Sequence, residues 1–453
     1  MTSALAGKRV LVVGLGVSGF AAARALADID AKVRVTEGGT SPAIDERARA
    51  LQAQGIEVET GGHDLERLDA DLAVVSPGIA PTTPVVRELR REGITLWSEV
   101  ELAFRLAVCD FLAVTGTNGK TTTTTLLAAM LREGGVTSVA AGNIGLPLVE
   151  AVSRIPESGA IAVEVSSFQL ATIERFRPAV GVVLNVAEDH TDWHGSFDEY
   201  AAAKARIVEN QTESDVFVPN YRDPQAMTMA RHTLARVVPF SAAEPPPGGI
   251  GVSAGRLVTS DVEILPADDV PLAGEAGLED AAAAAGAALE YGVDRLAVAR
   301  AIRGFRPLAH RLELVADFGG VRFVDDSKAT NPHATLSALR GLTDVVLIAG
   351  GRSKGIDLGV LRAAAPALRA VVAIGEAAPE LARIFDGLVP VERAGSMDAA
   401  VDLAVARSKR GGSVLLSPGC ASLDMYDGYA ARGEAFARAV RAVIERATDD
   451  EEG

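Results

Sequence analysis

The sequence predicts an α/β protein of three domains, each a parallel sheet covered by helices. Short β-branched runs alternate with helical stretches along its 453 residues, and glycine-rich turns follow strands in each third. Aromatic residues make up only 4%, while hydrophobic residues reach 48% and charged residues 23%, proportions suited to layered domains with large cores. Length alone allows two to four domains at about 150 residues each.

Residues 1–98 carry "RVLVVG", "SGFAAARALADI", "KVRVTE" and "DLAVVSPGI", strand and helix patterns in βαβ order. In "VVGLGVSG", Gly14, Gly16 and Gly19 form G-x-G-x-x-G between a strand and a helix. Such glycines let a pyrophosphate approach the helix N-terminus, or serve only close strand–helix packing. Glu37 ends the next strand, near the spacing at which an acid meets a ribose hydroxyl. The motif points to a nucleotide diphosphate without specifying NAD, because the only histidine in the segment is His63. "SPGI", Ser76 to Ile79, sits at a later strand end, where its backbone N–H groups can face the same phosphate.

Residues 99–307 open with the strand "FLAVT" and the loop Gly116, Thr117, Asn118, Gly119, Lys120 and Thr121, before the helix "TTLLAAMLRE". Backbone N–H groups of such a turn cradle phosphates, Lys120 reaches their β and γ oxygens, and the Thr121 hydroxyl suits Mg²⁺. Val114 stands where the common triphosphate loop has its first glycine. Threonines 122 to 125 read as an ordinary helix start. "AIAVEVSS", "AVGVVLNV" and "DVFVPN" supply strands, "SAAEPPPGGIGVSAG" a surface turn, and "DAAAAAGAALEYG" a buried helix. Glu164 at a strand end beside the phosphate loop suits an oxygen-preferring Mg²⁺. His190 beside Asp189 is either a polar loop pair or a ligand. His190 and His194 are not expected on a helix, since Trp193 and Gly195 interrupt them, and a zinc pair is a weak reading. Lys204 in "YAAAKARIVE" lies on a helix, where a solvated surface lysine is the default.

Residues 308–453 hold "VVLIAGG", "AVVAIG" and "SVLLSPG", expected to form a third parallel sheet. "LAHRLE", "DDSKATNP" and "LLSPGCASLDMYDGY" set Arg311, Asp326, Ser327, Lys328, Thr330 and Asn331 in loops, and Lys354 follows another strand. Cations clustered there suit a carboxylate-bearing substrate. The tail "ATDDEEG" is expected to fray.

A net charge of −16 argues against general nucleic-acid binding and obliges any anionic ligand to use local basic pockets. Cys109 and Cys420, far apart, suggest two thiols in a reducing compartment and no disulfide framework. The N-terminal apolar run is broken by glycines, unlike a leader, and no stretch reaches the roughly 20 apolar residues of a membrane span. A soluble, cytoplasmic protein is expected.

"VTGTNGKTTTT", "VEVSSFQL", "LNVAEDHTDWHG", "AAAKARI", "HRLE", "DDSKATNP" and "LLSPGCASLD", in this order, resemble the Mur ligase family over nearly the whole chain. The resemblance implies three domains: an N-terminal Rossmann-like sheet (1–98), a central P-loop ATPase-like α/β domain (99–307) and a C-terminal Rossmann-like domain (308–453). It implies an ATP-dependent amide ligase acting as a monomer in peptidoglycan precursor synthesis, with D-glutamate added to UDP-N-acetylmuramoyl-L-alanine through an acyl phosphate. Other family members add different amino acids, and a weakly active nucleotide-binding relative is a further alternative. By similarity Lys120 and Thr121 serve ATP and Mg²⁺, Glu164 and His190 ligate the metal, and Lys204 matches a carbamylated lysine that supports it. Arg311, Asp326 and Asn331 fall on the nucleotide side. Val17, Ser18, Glu37, Ser76, Gly78 and Asn143 match the UDP-sugar site, and Lys328, Thr330, Lys354, Ser422 and Tyr429 the D-glutamate site. A His-Asn-x-x-Asn run common in the family is absent, with Ala276, Gly277 and Asp280 in its place, so no residue is assigned to adenine. Tyr429 stands where phenylalanine is common.

Overall fold

The run RVLVV becomes β1 (Arg9–Val13), buried after its first residue, as β-branched residues covered on both faces should be. It is followed by β2 (Lys32–Glu37), β3 (Glu57–Thr60), β4 (Leu72–Val75) and β5 (Leu96–Trp97), giving a parallel sheet of order β3-β2-β1-β4-β5. The chain reverses direction of travel across the sheet at β1 and β4. In doubly wound sheets the crevice at the C-terminal ends of such strands takes the ligand. Gly14 and Ser76 stand there.

The structure is a computed structural model describing residues 5–452 apart from 261, 273, 307 and 354; the side chains of 192 and 449–452 are outside that description. Two compact units emerge, Met1–Ala267 with Asp280–Gly304, and Asp268–Glu279 with Phe305–Gly453.

The second sheet of the first unit comprises β6 (Asp110–Thr115), β7 (Ser138–Gly142), β8 (Ala160–Glu164), β9 (Val180–Val183), β10 (Val216–Pro219) and β11 (Arg236–Val237). Its order is β11-β10-β9-β6-β8-β7, all parallel. β6 lies between β8 and β9, so a second switch point opens where β6 runs into the phosphate loop. The register pairs Val114 with Glu164, which brings the acid to the loop's edge. The helix Lys120–Glu133 buries Thr122, Thr123 and Thr124 with its leucines. The alanine-rich helix Gly274–Glu290 buries Ala281 to Ala285, Ala287 and Ala288 completely. A small antiparallel sheet, β12 (Ile250–Ser253), β13 (Arg256–Thr259) and β14 (Glu263–Pro266), follows the proline-rich turn.

In the second unit lie β15 (Glu313–Phe318), β16 (Val321–Asp325), β17 (Val345–Gly350), β18 (Leu368–Ile374), β19 (Val391–Arg393) and β20 (Ser413–Leu416), in order β15-β16-β20-β17-β18-β19. The expectation of a wholly parallel sheet is corrected here, because β15 and β16 form an antiparallel hairpin. Gly319 and Gly320 make its two-residue turn with φ of 60° and 77°. Successive positive φ is the signature of a tight hairpin, and a Gly-Gly pair supplies it without strain. The helix Tyr429–Glu452 extends into the C-terminal tail as far as Glu452. No helix among the described residues is long and apolar enough to cross a membrane, and both cysteines are free thiols.

Candidate active site

The phosphate loop turns on Gly119, whose φ of 83° caps the helix Lys120–Glu133 in a conformation that favours glycine. Asn185, at the end of the run after β9, holds the loop from below. Its Oδ1 accepts from the N–H groups of Thr117 at 3.1 Å and Asn118 at 2.8 Å. The Thr117 hydroxyl lies 2.9 Å from the Tyr200 hydroxyl and donates to Ala187 O at 3.1 Å. Lys120 Nζ folds over the loop and donates to Gly116 O at 2.9 Å and Thr117 O at 3.0 Å. Such a lysine swings onto a phosphate with little rearrangement.

Lys204 is 1% exposed, which reverses the surface default for that residue. Its Nζ donates to the same Gly116 carbonyl at 2.8 Å and lies over the Tyr200 ring at 4.6 Å. Burial, and then the charge of Lys120, push its ammonium well below the ordinary lysine value. Glu164 is 3% exposed, with Oε1 accepting from Asn143 Nδ2 at 2.9 Å. Its Oε2 is buried with no hydrogen-bond partner among the described residues. A buried carboxylate oxygen of that kind is costly unless something cationic meets it, so the donor fits Mg²⁺.

His190 takes a left-handed φ of 53° and caps a single turn, Thr191–His194. Only His194 lies within that turn, His190 standing before it as the cap, so the two histidines do not form a pair on a helix; Gly195 follows the turn and ends it. His194 Nε2 is 2.9 Å from Ser167 Oγ, whereas His190 lies against Phe168 at 4.7 Å and 3.7 Å from Asp189. The polar loop pair of His190 and Asp189 is thus present.

At the first glycine-rich turn, Gly14 has φ of 96°, and a Cβ on Gly19 would fall 1.9 Å from Gly14 O. Both glycines are required by the close approach of strand and helix. Glu37 closes the turn, accepting from Leu15 N at 2.6 Å and Gly39 N at 2.7 Å. Ser76 Oγ donates to Gly14 O at 3.3 Å, which ties the "SPGI" loop, with Gly78, to that turn. A cleft of about 230 Å³ gathers Val17, Ser18 and Pro77 from this sheet with Asn143 and Gln169 from the next. Asn143 therefore borders the cleft while its amide holds Glu164.

Asp280, left without a role by the sequence, stands at the phosphate loop. Its Oδ1 accepts from Thr123 Oγ1 at 3.1 Å and would meet a Cβ on Gly119 at 2.3 Å. Asn185 and Tyr200 were also missed: both lie inside motifs quoted above, but nothing in their spacing marks them as props of the loop.

In the second unit, burial raises the Asp326 carboxyl to about 7, against the Ser417 hydroxyl that donates to it at 2.8 Å and the charge of Arg311. Asn331 caps the helix Pro332–Ala338, accepting from Ala334 N at 2.8 Å. Lys328 Nζ lies 3.8 Å from the centre of the Tyr429 ring. Ser422 is buried and Thr330 half-buried, and Lys354 lies outside the described residues. Arg432, which no sequence signal marked, is 1% exposed and binds Ser327 Oγ at 3.0 Å, Ser327 O at 2.8 Å and Cys420 O at 3.1 Å. It fixes the backbone just before Lys328 and Ser422.

Two switch points, one with a phosphate loop and one with a glycine-rich turn, define a nucleotide-binding α/β protein. Residues 8–98 match the Mur ligase MurD-like N-terminal domain, 114–288 the Mur ligase middle domain and 310–420 the Mur ligase glutamate ligase domain. The chain belongs to the Mur ligase family. It is 46% identical over 448 residues to the UDP-N-acetylmuramoylalanine–D-glutamate ligase of Frankia casuarinae, covering 96% of this chain and 94% of that protein. It is 42% identical to the enzyme of the same name from Acidobacterium capsulatum, covering 95% and 96%. The fold is similar to that of MurF ligase from Thermotoga maritima, solved with ADP, at a TM-score of 0.60, 16% identity and coverage of 91% and 95%. It is also similar to UDP-N-acetylmuramate-alanine ligase MurC from Thermotoga maritima, at 0.58, 17% identity and coverage of 96% and 100%.

Proposed function

We propose that this chain is an ATP-dependent amide ligase that adds D-glutamate to UDP-N-acetylmuramoyl-L-alanine in peptidoglycan precursor synthesis, and so serves cell-wall biogenesis, cell shape and division. The observation that carries the reading is near full-length identity of 46% to a protein of that name. The phosphate loop with Arg311, Asp326 and Asn331 serves ATP. The cleft with Val17, Ser18, Asn143, Glu37, Ser76 and Gly78 serves the UDP-sugar. Lys328, Thr330, Lys354, Ser422 and Tyr429 serve D-glutamate. The protein acts in the cytoplasm as a monomer.

The chemistry is a carboxylate activation. The substrate carboxylate attacks the γ-phosphate of ATP, ADP leaves, and the acyl phosphate is opened by the D-glutamate amine with loss of phosphate. Lys120 and the N–H groups of the loop hold the triphosphate and its developing charge. Asn143 ties the UDP-sugar cleft to the acid beside the loop, so the reacting carboxylate is positioned against the γ-phosphate. Glu164, His190, Thr121 and a carbamylated Lys204 would hold Mg²⁺, which supplies charge neutralisation between phosphate and carboxylate when bound. The burial of Lys204 supports that role, since a neutral amine is the form that adds CO₂.

The test is phosphate release with UDP-N-acetylmuramoyl-L-alanine, ATP, Mg²⁺ and an amino acid. Release strictly dependent on D-glutamate is expected. Equal release with L-glutamate, L-alanine or diaminopimelate would point to another member's specificity. No release at all would leave a nucleotide-binding relative.

A further inference from the structure

We propose that His310, paired with Asp325, is the base that takes a proton from the D-glutamate ammonium; the proposal rests on the D-glutamate reading of Lys328, Thr330, Ser422 and Tyr429. An ammonium has no lone pair, so it cannot open an acyl phosphate until a proton leaves. Lys328 among these residues is itself a cation.

The pair is built for that transfer. His310 Nδ1 lies 2.7 Å from Asp325 Oδ2, and Asp325 is 1% exposed with its other oxygen accepting from Ser327 N at 2.8 Å. A carboxylate partner fixes the Nδ1–H tautomer and leaves Nε2 as the proton-accepting nitrogen. The same carboxylate holds the imidazolium once formed, as in a hydrolase triad. The pair sits among the residues read as the D-glutamate site. Lys328 N donates to His310 O at 3.1 Å, and the Tyr429 ring stands 6.3 Å from the imidazole.

Two further features mark this place. His310 and Leu312 both take left-handed backbone, with φ of 62° and 49°, a conformation that tends to be kept where function requires it. The helix Tyr429–Glu452 presents a glycine to the pair: a Cβ on Gly433 would fall 2.2 Å from His310 Nδ1 and 2.5 Å from Asp325 Oδ2. The other charged or titratable groups around the pair are Glu313, which accepts from His310 N at 2.8 Å, Arg311 and Asp326 on its own turn and strand, Lys328, and Tyr429 and Arg432 on the helix. Burial raises the Asp325 carboxyl, and the His310 hydrogen bond pulls it back.

In the step, the ammonium N–H bond breaks and its proton passes to His310 Nε2. The freed lone pair forms the C–N bond at the acyl carbon. The tetrahedral intermediate expels phosphate, whose oxygen takes the C–O electron pair. The second amine proton leaves to solvent or phosphate, and His310 returns its own proton to solvent.

His310→Asn tests this. Asparagine keeps a donor near Nδ1 and tolerates positive φ, but accepts no proton at that site. The rate with D-glutamate should fall about 10²-fold at neutral pH, and the deficit should shrink as rising pH supplies D-glutamate already as the free amine. Acyl phosphate, reduced by borohydride and counted as the alcohol, should form as in the wild type. Hydroxylamine, a nucleophile already neutral at neutral pH, should give hydroxamate at the wild-type rate. An unchanged rate and pH profile, or an equal loss with hydroxylamine, would overturn the proposal. Should that variant fail to fold, Asp325→Asn should show the same D-glutamate-selective loss, and an unchanged rate there overturns it equally. Lys328→Ala is the separate check on the site: unchanged D-glutamate affinity by calorimetry would displace the D-glutamate reading itself. Weakened affinity with a wild-type rate in His310→Asn would sink only the base.

Discussion

Lys204 donates a hydrogen bond to the carbonyl oxygen of Gly116 at 2.8 Å, and Lys120 reaches the same oxygen at 2.9 Å. Two amines thus converge on one loop carbonyl, one half-buried and one sealed in the interior. Lys204→Ala should leave the loop to Lys120 alone, with an unchanged circular dichroism spectrum and phosphate release reduced by at least about 10²-fold. Full activity in that variant would remove Lys204 from the machinery.

Glu164 keeps one oxygen on Asn143 and the other without a partner among the described residues. Glu164→Gln preserves the first contact and removes the charge. The Mg²⁺ concentration for half-maximal activity should rise at least about tenfold, consistent with a loss on the order of 1.4 kcal/mol. A titration that superimposes on the wild type would exclude Glu164 as a ligand.

Gly119→Ala meets two obstacles, a φ of 83° and the Asp280 oxygen 2.3 Å from the added carbon. It should lower stability by about 1–3 kcal/mol and weaken ADP binding measured by calorimetry. Adding Asp280→Ala removes the clash but not the backbone strain, so the double variant should recover only part of the loss. Complete recovery would show that the left-handed turn costs nothing here.

Glu99 is buried, with Oε1 accepting from Val149 N at 2.9 Å, and burial raises its carboxyl to about 7. The folded state therefore holds this proton more tightly than the unfolded chain, whose value is about 4.3. The associated stability is complete below the unfolded value and is lost as pH rises through about 7. Glu99→Gln removes that slope. Thermal unfolding should show the variant more stable than the wild type by up to about 3 kcal/mol near pH 8, the two converging below about pH 4. Parallel curves across that range would contradict the shift.

Much of this was legible in the chain, for reasons that differ by element. Strands such as RVLVV announce themselves because parallel sheets bury both faces, and Gly14 and Gly19 because backbone meets backbone there. The hairpin of β15 and β16 was missed although Gly319-Gly320 signals it, since its strands carry charges on exposed positions and lack an apolar run. Lys204 needed family resemblance, because a lysine on a helix looks the same in sequence whether it faces water or a carbonyl. Asn185, Asp280 and Arg432 act across separations of 67, 157 and 105 residues, through contacts that only folding creates.

Asn185 has a consequence in time as well as in shape. Its side chain occupies the Thr117 and Asn118 amide hydrogens from beneath. Those amides should resist deuterium exchange in the nucleotide-free protein almost as well as in the loaded one. A loop held in this way should meet each ATP already ordered, which spares turnover the repeated cost of ordering it.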